Sequence, residues 1–168
     1  EVIAAWAGRY LDLKPPAPPP GAPEGIVRVS EADPAGFLQD VSSGPDHHLL
    51  ADEPKAYGGT NRGLTPYGLV SAGLGACTSM TIRMYARRKG MALSHVSVDV
   101  SHDKVHAQDA DAANPVKIDT FCRVIRLDGD LTDADRARLL EIADKCPVHR
   151  TLEKGARVET ELLNRASE

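Results

Sequence analysis

The sequence contains one long helical pattern, Leu69 to Arg88, with strand patterns on both sides of it. Within this pattern, apolar and small residues recur three and four positions apart, so they fall on one stripe, whereas the arginines lie mostly off it. The arrangement predicts a long, largely buried helix that ends at Gly90. The residues of the stripe are Val70, Gly73, Leu74, Cys77, Met80, Thr81 and Met84.

Three short strands are predicted before this helix, at residues 26–30, 37–41 and 48–52. Turn signals at Asp33-Pro34 and Gly44-Pro45 separate them. Strands spaced in this way indicate an antiparallel meander.

Two further strands are predicted after the helix, at residues 94–101 and 116–127, and a last strand at residues 156–162. Apolar and polar residues alternate in the first and last of these, which is the period of a strand with one covered face.

A second helix is predicted ahead of the last strand. Thr132 and Asp135 form the spacing of a capping box that opens it, its apolar face extends to Cys146, and Pro147 is predicted to end it. The resulting order, βββαββαβ, lacks a regular alternation of strands and helices. We therefore predict an α+β layer fold rather than a doubly wound parallel sheet.

The N-terminal part of the chain has a different composition. Residues 14–24 are rich in proline and cannot continue a helix, so we predict an extended linker. Residues 1–13 predict a short helix with one apolar face, which is either the end of an upstream domain or an arm that packs on a dimer partner. Residues 164–168 are predicted to form a C-terminal tail.

Charge and hydropathy exclude several classes of partner. No uninterrupted apolar run approaches the roughly 20 residues that span a bilayer, so no membrane partner is expected. The N-terminal stretch carries Arg9 within its apolar part and lacks the pattern of a secretory signal, which favours a cytoplasmic location. A formal net charge of −4 without a long basic run gives no electrostatic basis for binding nucleic acid.

The cysteines are the candidate reactive residues. Cys77, Cys122 and Cys146 are an odd number without a C-x-x-C pair, which argues against a structural disulfide framework. Cys77 and Cys146 each fall on the apolar stripe of a predicted helix, so their thiols meet if the stripes face each other. They are buried core thiols, metal ligands or a redox pair. Cys122 lies in a strand and is interpreted as structural.

The surroundings of Cys77 favour the redox interpretation. Little side-chain bulk stands near it, and Gly73 and Gly75 each cost roughly 1 kcal/mol in a helix relative to alanine, which indicates a packing or site requirement. Cys146 is predicted in the last turn of a helix, where the dipole disfavours a thiolate, so it suits a resolving role. A reactive thiol also needs a cation or donor to lower its pKa. Spacing places no arginine beside Cys77, and Arg28 is the candidate.

A metal site is the competing use of the same residue types. Cys146 and His149 are three positions apart, and His102 and His106 are four apart. Four residues of a strand span roughly 13 Å, so the two histidines share a face without converging on one ion. We expect no metal.

Two segments resemble the OsmC/Ohr family of thiol peroxidases. Residues 66–81, PYGLVSAGLGACTSMT, are similar to the cysteine helix of the family, and residues 139–152, LLEIADKCPVHRTL, to the second cysteine segment of its OsmC branch. The resemblance covers about residues 25–163, and residues 1–13 resemble the final helix of an α/β-hydrolase domain that some longer members carry upstream. Shorter matches are His47, Asp52-Glu53-Pro54, Gly58-Gly59-Thr60 and residues 102–106.

The resemblance implies an intertwined homodimer in which two central helices are wrapped by antiparallel sheets from both subunits. It also implies that Cys77 attacks an organic hydroperoxide and that Cys146 resolves the resulting sulfenic acid as a disulfide. An external dithiol, in this family commonly a lipoyl group, would then reduce the pair. No metal or tightly bound cofactor is expected.

One departure from the family concerns the activation of the thiol. The family often has a glutamate just after the proline that opens the cysteine helix, bonded to an activating arginine, whereas Tyr67 and Gly68 stand here. Glu53 is the candidate substitute. A non-catalytic ligand-binding or regulatory domain fused to a hydrolase therefore stays open as the alternative. The residues expected to line the substrate pocket are His47, Tyr67, Leu74 and Met80.

Overall fold

The computed structural model describes residues 21–106 and 117–163, which form five strands, three α-helices and a short 3-10 turn. The predicted helix at residues 1–13, residues 14–20 of the predicted linker and the predicted tail lie outside the described residues. The strands are β1 (Val27–Glu31), β2 (Gln39–Ser43), β3 (His47–Ala51), β4 (Ala92–His106) and β5 (Lys117–Asp130), and the helices are α1 (Pro66–Lys89), α2 (Asp133–Ala143) and α3 (Pro147–Lys154).

The chain divides into two compact units at the bond between Pro66 and Tyr67. In the first unit, β1, β2 and β3 form an antiparallel sheet in that order, with Val41 of β2 opposite both Val29 and Leu49. The predicted meander is confirmed, because each strand pairs with the next one along the chain.

Asp52 organises the loop that follows this sheet. Its side chain accepts hydrogen bonds from the hydroxyl of Thr60 at 2.6 Å and from the backbone N–H groups of Glu53, Thr60 and Arg62. The Thr60 hydroxyl has the largest effect on the pKa of Asp52, which lies at about 2 because these donors outweigh the cost of desolvation. Asp52 is only 2% exposed, so its role is to hold the loop closed.

The second unit contains the antiparallel pair β4 and β5 and the three helices. Both strands are longer than predicted. The side chains of one face of this sheet, among them Val96, Ile125 and Leu127, pack against the helices, and this face is called the inner face. The core is completed by Ile82, Ala86, Leu93, Leu139 and Ala143, which are buried.

The predicted cysteine helix is confirmed as α1, and two glycines explain its limits and its packing. Gly90 has φ +64°, a left-handed conformation that suits glycine after the last helical turn. Gly75 lies so close to β4 that an added Cβ atom would be 3.2 Å from Cγ2 of Val100. An added Cβ atom at Gly73 would meet nothing within 4 Å. The close approach of helix and strand therefore depends on Gly75.

Two predictions for the C-terminal part are wrong. The capping box of Thr132 and Asp135 opens α2 as expected, but α2 ends at Ala143, and Pro147 begins the helix α3 instead of ending α2. Proline fits the first turn of a helix, because the backbone N–H that it lacks has no partner there. Cys146 is consequently the N-cap residue of α3 and not a member of α2.

The predicted last strand at residues 156–162 does not form. In the described residues no strand pairs with this segment, and Val158 and Leu162 are 85% and 84% exposed. An alternation of apolar and polar residues does not by itself make a strand, because the backbone N–H and C=O groups of a strand need hydrogen-bond partners on an adjacent strand. No helix in the described part of the chain is long and apolar enough to cross a bilayer.

Candidate active site

Cys77 and Cys146 meet in the second unit. Cys77 lies in the middle of α1 and is partly exposed, whereas Cys146 lies between α2 and α3 and is completely buried. Neither cysteine is in a disulfide, and the two thiols lie close enough for each to change the pKa of the other. The structure thus brings together two thiols that are 69 positions apart in the sequence.

The surroundings of Cys146 favour its thiolate. Burial raises the pKa of Cys146, but hydrogen bonds from Cys77, from the backbone N–H groups of His149 and Val148 and from the hydroxyl of Thr78 outweigh burial, so the pKa lies below its usual value. These backbone donors belong to the first turn of α3. The sequence-based expectation that a helix dipole disfavours a thiolate at Cys146 is therefore wrong, since the residue lies at the start of a helix.

The surroundings of Cys77 act in the opposite direction. Burial raises the pKa of the Cys77 thiol, and the hydrogen bond to Cys146 raises it further. A backbone N–H group of Val148 and the hydroxyl of Thr81 lower it by less. The two thiols therefore ionise as a coupled pair, because the charge state of each one affects the pKa of the other.

Arg123 is a cation that contacts Thr78, the neighbour of Cys77 in α1, and the sequence analysis missed it. It lies on the inner face of β5 with a side chain only 12% exposed. Its guanidinium donates to the hydroxyl of Thr78 at 3.0 Å, to the carbonyl of Ala143 at 3.1 Å and to the carboxylate of Asp144 at 2.8 Å. The alternation of β5 places Arg123 on the same side as the partly buried Ile125 and Leu127, but apolar residues on the other face obscure this signal in the sequence.

A cavity of about 270 Å³ opens beside Arg123. Leu74 lies in its wall, and the role of Leu74 in substrate binding stays a prediction. Apolar and charged side chains contribute to the same wall. The other lining residues are Asp119, Thr120, Phe121, Arg123, His149, Leu152 and Glu153.

Tyr67 begins an aromatic stack next to this cavity. Its ring lies parallel to that of His102, with 4.0 Å between the centroids, and His102 in turn contacts Phe121 at 4.8 Å. Nε2 of His102 is 2.8 Å from the carboxylate of Asp119. Phe121 and Asp119 line the cavity, so Tyr67 and His102 lie behind its wall and do not line it.

The remaining predicted site residues stay predictions. Arg28, His47 and Glu53 belong to the first unit, where Arg28 is exposed and donates to the carbonyl of Gly21 at 3.4 Å. Glu53 is partly buried and its backbone N–H contacts Asp52. Met80 is 70% exposed on α1.

Neither the metal interpretation nor the structural interpretation of Cys122 gains support. Residues 21–106 and 117–163 contain no group of three His, Cys, Asp or Glu side chains that could hold a metal ion. His149 is 3.1 Å from Glu153, its partner one turn along α3. Cys122 is exposed on the outer face of β5, on the same side as Ile118 and Val124, so it is not a core thiol.

The second unit is thus an α+β unit in which two free thiols lie close together among its helices. Residues 59–161, more than half of the chain, match the model of the OsmC-like protein family. The chain belongs to this family. No curated protein matches it.

Solved structures share the fold at low sequence identity. The chain is similar to an OsmC-like protein from Mycoplasma pneumoniae (TM-score 0.60, 15% identity, 76% of this chain and 86% of the other). It is also similar to an organic hydroperoxide resistance protein OsmC from Legionella pneumophila (TM-score 0.56, 19% identity, 76% and 87%). A third similar structure is the organic hydroperoxide resistance protein OhrB of Bacillus subtilis (TM-score 0.53, 15% identity, 75% and 89%).

Proposed function

We propose that this protein is a thiol-dependent peroxidase that reduces organic hydroperoxides to alcohols. The observation that carries the proposal is the proximity of Cys77 and Cys146, because a disulfide can form only between sulfur atoms that come within bonding reach. Family membership adds support, since relatives with this fold are described as organic hydroperoxide resistance proteins.

Cys77 is the proposed attacking residue, because it is partly exposed whereas Cys146 is completely buried. As the Cys77 sulfur attacks the terminal oxygen of the hydroperoxide, its proton passes to the hydrogen-bonded Cys146 thiolate. The O–O bond breaks, and the alkoxide takes up a proton from solvent and leaves as an alcohol. Cys77 is oxidised by two electrons to a sulfenic acid.

Cys146 is the proposed resolving residue. Once deprotonated again, its thiolate attacks the sulfur of the Cys77 sulfenic acid, the S–O bond breaks, and the hydroxide leaves as water after taking up a proton. An external dithiol, with a lipoyl group as the proposed form, then exchanges with the disulfide and carries away its two oxidising equivalents. We place this cycle in the cytoplasm, where reducing conditions return the pair to the dithiol state.

The test is turnover of cumene hydroperoxide with a dithiol as the reductant. We expect Cys77→Ser to abolish turnover and Cys122→Ser, which removes the exposed thiol of the outer face, to leave it unchanged. Equal loss in both variants, or full activity of Cys77→Ser, would contradict the proposal. A wild-type protein that binds the hydroperoxide without turnover would favour the regulatory, ligand-binding alternative.

The same proposal includes a homodimer. Met80 and Met84 lie one turn apart on α1 and are 70% and 68% exposed, which is an unusual position for two large apolar side chains on a central helix. Covering them with a second copy would bury this stripe. We expect Met80→Glu with Met84→Glu to halve the mass measured by light scattering. A monomeric wild-type protein would remove the dimer from the proposal.

A further inference from the structure

We propose that Arg123 is a positioning residue that orients the Thr78 hydroxyl so that its proton faces the Cys146 sulfur, and so supports this thiol in its resolving role. The inference deepens the proposed peroxidase function and rests on it for its biological meaning. Its test measures the ionisation of one thiol and needs no turnover.

The argument begins with the direction of two hydrogen bonds. A guanidinium is a donor only, so the contact of 3.0 Å between Nη1 of Arg123 and Oγ1 of Thr78 uses a lone pair of the hydroxyl. The single proton of that hydroxyl remains free to point elsewhere. We assign the Cys146 sulfur as its acceptor, because this buried thiol lies beside the Thr78 side chain, which is also buried. Arg123 thereby fixes which way the Thr78 proton faces.

Burial makes this arrangement effective. Thr78 and Cys146 are both completely buried, and the Arg123 side chain is only 12% exposed. Little water reaches the Thr78 hydroxyl or the Cys146 sulfur, so the electrostatic influence of the guanidinium on the sulfur is screened less than it would be at the surface. A hydroxyl polarised by a cation is also a stronger donor than a free one.

Arg123 is held in place from two other directions. It satisfies the carbonyl of Ala143 at the C-terminal end of α2, and it forms an ion pair with Asp144, whose side chain is 65% exposed. These contacts fix the short segment between α2 and α3 that carries Cys146. Arg123 therefore has a scaffolding role beside the proposed electrostatic one, and the experiment must separate the two.

Every element that packs against Cys146 contributes to its ionisation. Cys77 and Thr78 face it from α1, and the first turn of α3 supplies the backbone N–H groups of Val148 and His149. Arg123 acts from β5, and the Asp144 carboxylate partly neutralises Arg123. Removal of the Arg123 charge and removal of the Asp144 charge should therefore shift the pKa of Cys146 in opposite directions.

The test titrates the ultraviolet absorbance of the thiolate in a Cys77→Ser, Cys122→Ser background, where Cys146 is the one remaining cysteine. We expect Arg123→Gln to raise the apparent pKa of Cys146 by about one unit, since a nearby cation lowers a thiol pKa by roughly this amount. Arg123→Lys should restore most of the difference. Arg126→Gln, which removes an exposed arginine from the same strand, is the matched control and should change nothing.

Three outcomes would overturn the inference. Equal titration of Arg123→Gln and Arg126→Gln would show that Arg123 has no influence on the sulfur. An upward shift in Asp144→Asn equal to that in Arg123→Gln would assign Arg123 to scaffolding alone, since our inference predicts no shift or a downward one.

The Thr78 variants provide the third outcome, and they decide the question if Arg123→Gln does not fold. Thr78→Val should raise the apparent pKa of Cys146, whereas Thr78→Ser, which keeps the hydroxyl, should not. Equal titration of the two would contradict the inference. Normal titration shifts in a protein without peroxidase turnover would refute the proposed function while leaving this inference standing.

Discussion

The two arginines near the middle of β5 have different surroundings although they are only three positions apart. Arg123 lies on the inner face with its side chain 12% exposed and donates to three groups from two helical segments. Arg126 lies on the outer face, 59% exposed, and forms an ion pair with Asp99, which is itself 62% exposed. The same strand thus presents one guanidinium to the buried helices and another to a surface ion pair.

The difference follows from the desolvation of each guanidinium. A buried, fully paired cation influences its neighbours strongly and is costly to disrupt, whereas an exposed ion pair contributes little to stability. The same division applies to the cysteines, because Cys146 is buried beside Arg123 whereas Cys122 is exposed on the outer face. Each of the following predictions compares an inner residue with a more exposed counterpart, beginning with the largest expected effect.

The largest effect concerns disulfide formation. After one equivalent of cumene hydroperoxide, peptide mapping of the wild type should show a Cys77–Cys146 linkage, because these thiols are already in contact. Cys122→Ser should give the same linkage in full. Cys146→Ser should give none and should accumulate a sulfenic acid at Cys77 that reacts with dimedone. A disulfide between Cys77 and Cys122 in place of Cys146 would contradict the assignment of the resolving role to the buried thiol.

The second effect concerns stability. Arg123→Met leaves the buried Thr78 hydroxyl and the Ala143 carbonyl without a donor, so the free energy of unfolding should fall by about 2 to 4 kcal/mol. Arg126→Met breaks only an exposed ion pair and should change it by about 0.5 kcal/mol or less. Urea unfolding measures both, and similar losses in the two variants would contradict the comparison.

A smaller effect separates two glycines of α1. Gly73→Ala should raise the free energy of unfolding by about 0.5 to 1 kcal/mol, because alanine favours the helix and the added methyl meets nothing. Gly75→Ala should lower it by about 1 kcal/mol, because the new methyl lies 3.2 Å from the stiff side chain of Val100. Thermal unfolding provides the comparison. A destabilising Gly73→Ala would indicate that another surface covers this glycine.

The last prediction concerns the pH dependence of stability that the Asp52 carboxylate causes, which appears only in acid. The folded-state pKa of Asp52 is about 2, below the ordinary value of 3.8, so its contribution to stability is present above pH 3.8 and is lost as the pH falls towards 2. Replacing Asp52 with asparagine should flatten the acid limb of the stability curve in this interval. Asp99→Asn, which alters only the outer-face ion pair, should keep the limb. Parallel acid limbs in the two variants would contradict the assignment.

Much of the fold could be predicted from local patterns. The stripe of α1, the turn signals around β2 and the capping box of Thr132 each depend on residues close together in the sequence. The meeting of Cys77 and Cys146 could be predicted because both residues lie in apolar patterns and in segments that resemble those of a family. The roles of Arg28, Glu53 and His47 stay predictions.

What the sequence could not provide depends on contacts between distant segments. Apolar residues occur on both faces of β5, so alternation did not reveal that Arg123 is on the buried side. Pro147 is compatible with the end of one helix or the start of the next, and only the packing of α3 decides between them. The predicted last strand failed for a related reason, since strand formation needs a partner that the sequence pattern does not supply.

The exposure of Cys122 has a practical consequence for work on the purified protein. An accessible thiol oxidises in air and can bridge two molecules, which would appear as a band of twice the mass on a non-reducing gel. Closure of the inner pair leaves the mass of each chain unchanged. The Cys122→Ser protein is therefore the proper reference sample for redox measurements, and the native Cys122 is a convenient attachment point for a fluorescent label.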